Sequence, residues 1–253
     1  MVDYELQGRI AVLTLNRPEA RNAVNGDVSK GMEAGIDRLE EDENAWVGIL
    51  THTGPVFSAG ADLKAINSGK AAELQTARGG FAGLVQRQRT KPLIAAIDGA
   101  ALAGGCEIAL ACDLIVASTQ ARFGVPEVKR SLVAAAGALF RLPRALPRNV
   151  ALEMIVTGDP ISAERAYHFG LVNDLCEPGQ AFEHAKALAE RIIVNAPLAV
   201  RKSRELSLAT VDADDETGFR LTGESMIELA QTEDFWEGPK AFIEKRDPVW
   251  QGR

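Results

Sequence analysis

Two carboxylates and two small-residue loops are the parts of this 253-residue chain with the makings of a reactive site. One loop is Phe57-Ser58-Ala59-Gly60-Ala61-Asp62-Leu63. The other is Asp98-Gly99-Ala100-Ala101-Leu102-Ala103-Gly104-Gly105, with Cys106-Glu107 directly after it. Small side chains let a ligand come close to the main chain. A glycine loop that opens a helix also leaves N–H groups free and turns a positive dipole end outward. Such a loop binds phosphate or stabilises an oxyanion. Further on, Phe123-Gly124-Val125-Pro126-Glu127 supplies a second glutamate. Two glutamates that converge beside a polarised carbonyl divide acid and base work, because burial and mutual repulsion push their pKa values apart. Either one alone, on a short helix, reads as a solvated or salt-bridged residue.

The phosphate readings fare badly. Gly99-x4-Gly104 continues as Gly105-Cys106, without the Lys and Ser/Thr of a Walker loop. No Gly-x-Gly-x-x-Gly follows a strand, and no Gly-x-Ser-x-Gly nucleophile elbow occurs. Two oxyanion-type loops remain. Cys106 reads as a buried filler rather than a nucleophile, with no His nearby in sequence. The histidines, His52, His168 and His184, are scattered, so no zinc site is expected and no metal.

The elements that must position these residues alternate early and become helical late. Ile10–Leu15, Trp46–Thr51, Pro92–Ile97 and Asp113–Ala117 read as buried strands. Helix-spaced apolar residues run through 24–43, and a short helix is expected over Cys106–Ala111. Residues 53–60 and 98–105 read as loops, and Asn67–Arg78 as a polar, mobile segment. Helices are expected over 137–146, 149–157, 162–169, 180–194, 197–210 and 213–231, with a strand at Leu171–Leu175. Ser162 is the expected N-cap of its helix and Gly170 its stop. Asp234-x-x-Glu237 has capping-box spacing before a last helix. No linker or clear repeat divides the chain. This is an α/β core, residues 1–195, with a helical extension, 196–253, in one unit.

Composition sets the outer bounds. Hydrophobic residues make up 46% and charged residues 25%, ordinary globular values that exclude a disordered chain. A chain of this length buries about 70–75% of its unfolded surface, so it needs no disulfide or metal to fold. The net charge of −7 and the 6% aromatic content argue against nucleic acid as a partner. Three cysteines without CxxC spacing point to a cytoplasmic setting. Met1–Glu5 lacks the basic start and apolar run of a signal peptide, and Leu93–Ala111 is too interrupted for a membrane span.

Taken together, Asn16-Arg-Pro-Glu-Ala-Arg-Asn-Ala23, Phe57–Asp62, Ala103–Glu107 and Phe123–Glu127 resemble the crotonase (enoyl-CoA hydratase/isomerase) superfamily. The likeness continues through Thr157–Asp159, Ala166–Val172 and Glu237–Phe242, in the family's order. It implies a spiral of ββα units with a helical C-terminal trimerisation region, and an acyl-CoA thioester as substrate. It implies an oxyanion hole at the N–H groups of Ala61 and Gly104, with Glu107 and Glu127 as the catalytic pair. Contacts to CoA and substrate would come from Ala20, Arg21, Asn22, Ala59, Gly60, Asp62, Leu63 and Lys64. Gly105, Pro126, Leu132 and Gly137 would complete that surface. For Arg21 and Lys64 an ordinary solvated charge is an equal reading.

Keeping both glutamates favours hydration or dehydration of a 2-enoyl-CoA, with no cofactor beyond the CoA of the substrate. The stretch after Glu127 departs from the family, with Ser131 at a usual Gly, Ala134 at a usual Pro and Ala138 at a second usual Gly. The C-terminus and Gly80–Leu84 are similar to those of carnitinyl-CoA dehydratases, which makes that reaction one alternative and double-bond isomerisation another. A noncatalytic CoA- or RNA-binding relative is the alternative outside enzymes. Self-association as a homotrimer or a dimer of trimers follows from the same resemblance.

Overall fold

The computed structural model describes residues 1–253. In chain order the first half comprises β1 (Val2–Gln7), β2 (Ile10–Leu15), α1 (Gly26–Glu41), β3 (Val47–His52), β4 (Val56–Ser58) and α2 (Leu63–Asn67). It continues through β5 (Gln75–Thr76), β6 (Gly80–Phe81), β7 (Leu93–Ile97), β8 (Ala100–Leu102), α3 (Gly104–Ala111), β9 (Leu114–Ser118) and β10 (Arg122–Gly124). Then come α4 (Ala138–Ala145), α5 (Arg148–Thr157), β11 (Ile161–Ser162), α6 (Ala163–His168), β12 (Asp174–Cys176) and α7 (Ala181–Ile193). The chain ends with α8 (Pro197–Ala209), α9 (Asp215–Leu229) and α10 (Glu233–Glu244).

The pairs β3/β4, β7/β8, β9/β10 and β11/β12 each split between two sheets, while β5 and β6 form a small hairpin of their own. The long members form a six-stranded sheet in the order β1-β2-β3-β7-β9-β12, parallel from β2 onward. The short members form a four-stranded sheet in the order β11-β10-β8-β4. Each successive unit therefore steps one strand sideways in both sheets, which is the spiral. Tight corners make the steps. At the β7–β8 corner a Cβ on Gly99 would lie 2.1 Å from the Pro55 carbonyl oxygen, so only glycine fits.

The six-stranded sheet is covered on both faces, which is why its strands read as continuous apolar runs. Alternate residues choose their side. Ala11, Leu13 and Leu15 face the main apolar cluster with α1, while Ile10 and Val12 face α7. Ala181, Ala185 and Ala189 form the buried stripe of α7, small enough for the helix to lie close on the sheet. No buried side chain of either apolar cluster comes from beyond residue 195, and Phe219, Trp236, Phe242 and Ile243 stand exposed on the last two helices.

Several expectations need correction. Residues 53–60 and 98–105 are not simply loops, because β4 and β8 lie within them. Strands of three residues are too short to show a periodicity. The strand expected at Leu171–Leu175 is Asp174–Cys176. The Leu171 and Val172 N–H groups instead close the end of α6 on the Ala166 carbonyl. The cap of α10 is Thr232, whose hydroxyl accepts from Phe235 N. Asp234 is buried and accepts from Gln251 and Gly252 N–H. The 67–78 segment carries regular structure. It turns through a short 3-10 helix, Ala71–Leu74, and pairs β5 with β6 against α1.

Candidate active site

The site arises from strand parallelism. β4, β8 and β10 are adjacent and parallel, so their C-terminal ends lie side by side. Ala59–Asp62 leaves the first, Ala103–Gly104 the second and Val125–Glu127 the third. Glu107 sits one turn into α3, which starts directly after β8. Sequence-distant loops thus meet along one edge, around a cleft of about 1000 Å³ with half of its lining residues apolar.

The two small-residue loops touch. A Cβ on Gly60 would stand 2.7 Å from Gly104 N, and one on Gly104 would stand 2.4 Å from Phe81 Cε1. Gly60 has φ +84°, a region closed to most side chains. Ala103 adopts φ 52°, ψ −129°, a strained conformation for a residue with a Cβ, just before Gly104 opens α3. As the first residue of that helix, Gly104 has no intrahelical acceptor for its N–H. Val24 bridges the first loop by donating to Gly60 O and accepting from Asp62 N, which leaves the Ala61 N–H outside the bridge.

Buried polar side chains hold the first loop. Asn22 Nδ2 donates to the carbonyls of Thr53 and Val56, and Asn22 Oδ1 accepts from Arg17 N. Ser58 Oγ donates to Asn22 O and accepts from Gly60 N. Asp62 caps α2 by accepting from Lys64 and Ala65 N–H, and pairs with Arg17 at 2.7 Å. Burial opposes ionisation of Asp62, but the Arg17 and backbone hydrogen bonds outweigh it and hold its carboxyl below the ordinary range.

The glutamates differ in their surroundings. Glu107 is 3% exposed, and its Oε1 accepts from Ala138 N at 3.1 Å. Burial pushes its pKa up to about 7, helped by the nearby Glu127 charge and opposed by the Ala138 N–H. Glu127 Oε2 is buried without any hydrogen-bond partner, and burial raises its pKa as well. A carboxyl raised as far as that of Glu107 can give and take protons near neutral pH. Cys106 is fully buried, and burial pushes its thiol up, so it stays protonated.

Both glutamates line the cleft, together with Ala61, Gly104, Pro126 and Leu132. Ala20, Arg21, Ala59, Asp62, Leu63 and Lys64 line it too. Four expected residues stand behind it. Asn22 staples loops, Gly60 abuts Gly104, and Gly105 packs where a Cβ would lie 2.2 Å from Ser58 O. Gly137, at φ +119°, opens α4 and so presents the Ala138 N–H to Glu107. Ser131 occupies the left-handed region, φ 58°, which explains why a glycine suits that position.

Sequence reasoning left out Phe81, Val85, Gln86, Lys129 and Arg130, which also line the cleft. Gly80–Leu84 carried a signal only as a likeness. Lys129 pairs with Asp159, whereas Arg21, Lys64 and Arg130 form no salt bridge. No three His, Cys, Asp or Glu side chains converge as metal ligands, and no helix is long and apolar enough to cross a membrane.

A spiral of paired strands, with two glutamates and two abutting loops at one strand edge, defines a crotonase-fold protein. The family model described as enoyl-CoA hydratase/isomerase matches residues 5–253, and the chain belongs to that family. A carnitinyl-CoA dehydratase of Salmonella heidelberg (strain SL476) is 40% identical over 252 residues, covering 97% of this chain and 96% of that protein. The crystal structure of an enoyl-CoA hydratase from Mycobacterium tuberculosis H37Rv is 45% identical with a TM-score of 0.96, covering 100% of this chain and 99% of that one. A carnitinyl-CoA hydratase from Mycobacterium avium is 44% identical with a TM-score of 0.79, covering 100% and 98%.

Proposed function

We propose that this enzyme adds water across, or removes it from, the 2,3 double bond of an enoyl-CoA thioester. The observation that carries the reading is the pair of raised-pKa glutamates in one cleft with two abutting small-residue loops. The thioester oxygen takes the N–H groups of Ala61 and Gly104. Water adds at C3, electrons move onto that oxygen, and the two donors stabilise the charge. One such donor is typically worth about 3–4 kcal/mol in the transition state. Glu107 holds and activates the water, and Glu127 acts on the proton at C2. The split is supported by the anchored Glu107 oxygen and the unpartnered Glu127 oxygen. Water addition is redox-neutral and both proton carriers are side chains, so the reaction calls for no cofactor beyond the substrate's own CoA.

Arg21, Lys64 and Arg130 supply cations for the CoA phosphates. In a chain of net charge −7 these local groups, rather than the overall field, must attract the anionic ligand. The exposed apolar residues of α9 and α10 fit a subunit contact, as a homotrimer or a dimer of trimers. Residues 1–195 and 196–253 are read as core and extension of one unit. Free Cys106, Cys112 and Cys176 agree with a cytoplasmic setting.

Carnitinyl-CoA dehydration is the second reading, favoured by the named relatives above. Purified protein assayed at equal concentration on 2-butenoyl-CoA and crotonobetainyl-CoA separates the two. Faster hydration of the first supports the main reading, faster hydration of the second supports the alternative, and inertness toward both contradicts the hydro-lyase assignment.

A further inference from the structure

The cleft wall beside the glutamates is built from a segment that side chains of two helices tie down. Residues 74–87 carry Phe81, Val85 and Gln86 into the cleft, and the Phe81 ring packs directly on Gly104. Within the segment the only regular pairing is the short β5–β6 hairpin. Turn hydrogen bonds such as Ala82 N to Leu74 O and Gln86 N to Gly79 O, and the buried Leu74, Ala82 and Leu84, hold it locally, and side chains from two helices add to this.

One anchor lies on α1, away from the cleft. Asp37 Oδ2 accepts from Arg78 Nη2 at 2.5 Å, and Asp37 Oδ1 accepts from Arg87 Nη2 at 2.8 Å. One carboxylate thus ties the two ends of the stretch that carries Phe81 and Val85. The one side-chain hydrogen bond of Arg87 goes to Asp37, and its Nε is buried without a partner. Glu33, one turn earlier, lies 3.5 Å from Arg78 Nε. Between these points the backbone rests on the helix. Ser29 Oγ donates to Leu74 O, and a Cβ on Gly83 would lie 2.2 Å from Ser29 O. The second anchor is Arg141 on α4, whose Nη2 donates to Val85 O at 2.6 Å. That same helix begins at Ala138, whose N–H holds Glu107. The segment is therefore strung between the helix of Asp37 and the helix that fixes Glu107.

We infer that Asp37, although it touches no substrate, is a positioning residue that sets acyl-chain selectivity by clamping Arg78 and Arg87 and so pressing the Phe81–Val85 wall against the inner cleft. This rests on the enoyl-CoA reading of the cleft. A carboxylate bridging two guanidiniums fixes both distance and angle, because each pairing is directional. Releasing it lets the wall retreat and enlarges the space open to a longer acyl chain.

The test is the selectivity ratio, kcat/KM for 2-butenoyl-CoA over that for 2-octenoyl-CoA. Asp37→Ala is expected to lower it about five-fold, chiefly through KM of the longer substrate, with Asp37→Glu keeping it within about two-fold of wild type. Arg78→Ala leaves the Arg87 pairing intact and keeps the test alive if Asp37→Ala does not fold; it is expected to lower the ratio about two-fold. Arg165→Ala breaks the remote Glu153–Arg165 pair and serves as the stability control, with no change in ratio. An unchanged ratio in the Asp37 and Arg78 variants, or an equal loss on both substrates, overturns the inference while leaving the hydratase reading intact. A wild-type protein inert toward both thioesters removes that reading and this inference with it.

Discussion

The inner and outer walls of the cleft are made differently. Ala59–Asp62 and Ala103–Gly104 are locked by backbone contact, by the Asn22 staple and by the buried Arg17–Asp62 pair. The outer wall over 128–136 hangs from a single 3-10 turn, Pro126–Arg130, and leaves Leu132 60% and Val133 64% exposed. The inner wall has no room for a methyl group, whereas the outer wall has solvent on its far side. Groups that must meet a developing charge at fixed distance belong on the first, because donors stabilise an oxyanion only when already in place. Groups that choose among substrates can stand on the second. The departures from the family's usual residues, at Ser131, Ala134 and Ala138, all fall in the outer wall or at its junction with α4.

That contrast can be broken or sharpened by substitution. On the inner wall, Gly60→Ala puts a Cβ 2.7 Å from Gly104 N at a backbone φ of +84° and displaces that N–H. The expected loss in kcat is about 10²–10³-fold, read in steady-state kinetics, with the secondary structure retained. A loss of less than ten-fold would mean that the inner wall yields.

Glu107 gives an intermediate effect on stability, separable from its effect on rate. Its folded pKa of about 7 lies above the ordinary value of 4.5. Between those values the folded state binds more protons than the unfolded state, so stability falls as pH rises and levels off above about 7. The full penalty is about 3 kcal/mol as an upper figure. Melting temperature against pH checks this. Wild type should lose stability from pH 5 to 8, and Glu107→Gln, which keeps an acceptor for Ala138 N–H, should have a flatter curve. Parallel curves would place the titration elsewhere.

The smallest effect is expected on the outer wall. Leu132→Ala removes an exposed side chain and should change stability by less than about 0.5 kcal/mol, with KM moving about two-fold. A ten-fold change in kcat would make the outer wall part of the catalytic frame.

How much of this was legible in the sequence follows the same division. Buried strands such as Leu93–Ile97 declare themselves, since a parallel strand covered on both faces is a continuous apolar run. Their partners β4, β8, β10 and β11 have two or three residues each, and burial alternation over so short a span carries no signal. The glutamates and glycine loops stood out by residue type, but their convergence depends on those short strands. Asn22 carried a recognisable motif context, yet its observed place is a staple behind the cleft, decided by carbonyls more than thirty residues away. The Phe81 wall was hidden for a related reason. It is tied to Asp37, forty-one residues from Arg78, by charges that belong to no motif.

The most direct measurement is hydration of 2-butenoyl-CoA by wild type and by Glu127→Gln at equal concentration, with both proteins shown to be folded. The account predicts turnover by the wild type and a fall in kcat of about 10³–10⁴-fold in the variant, with KM little changed, because Glu127, whose Oε2 is buried without a partner, is the proposed proton carrier at C2. A variant that keeps wild-type turnover would contradict it.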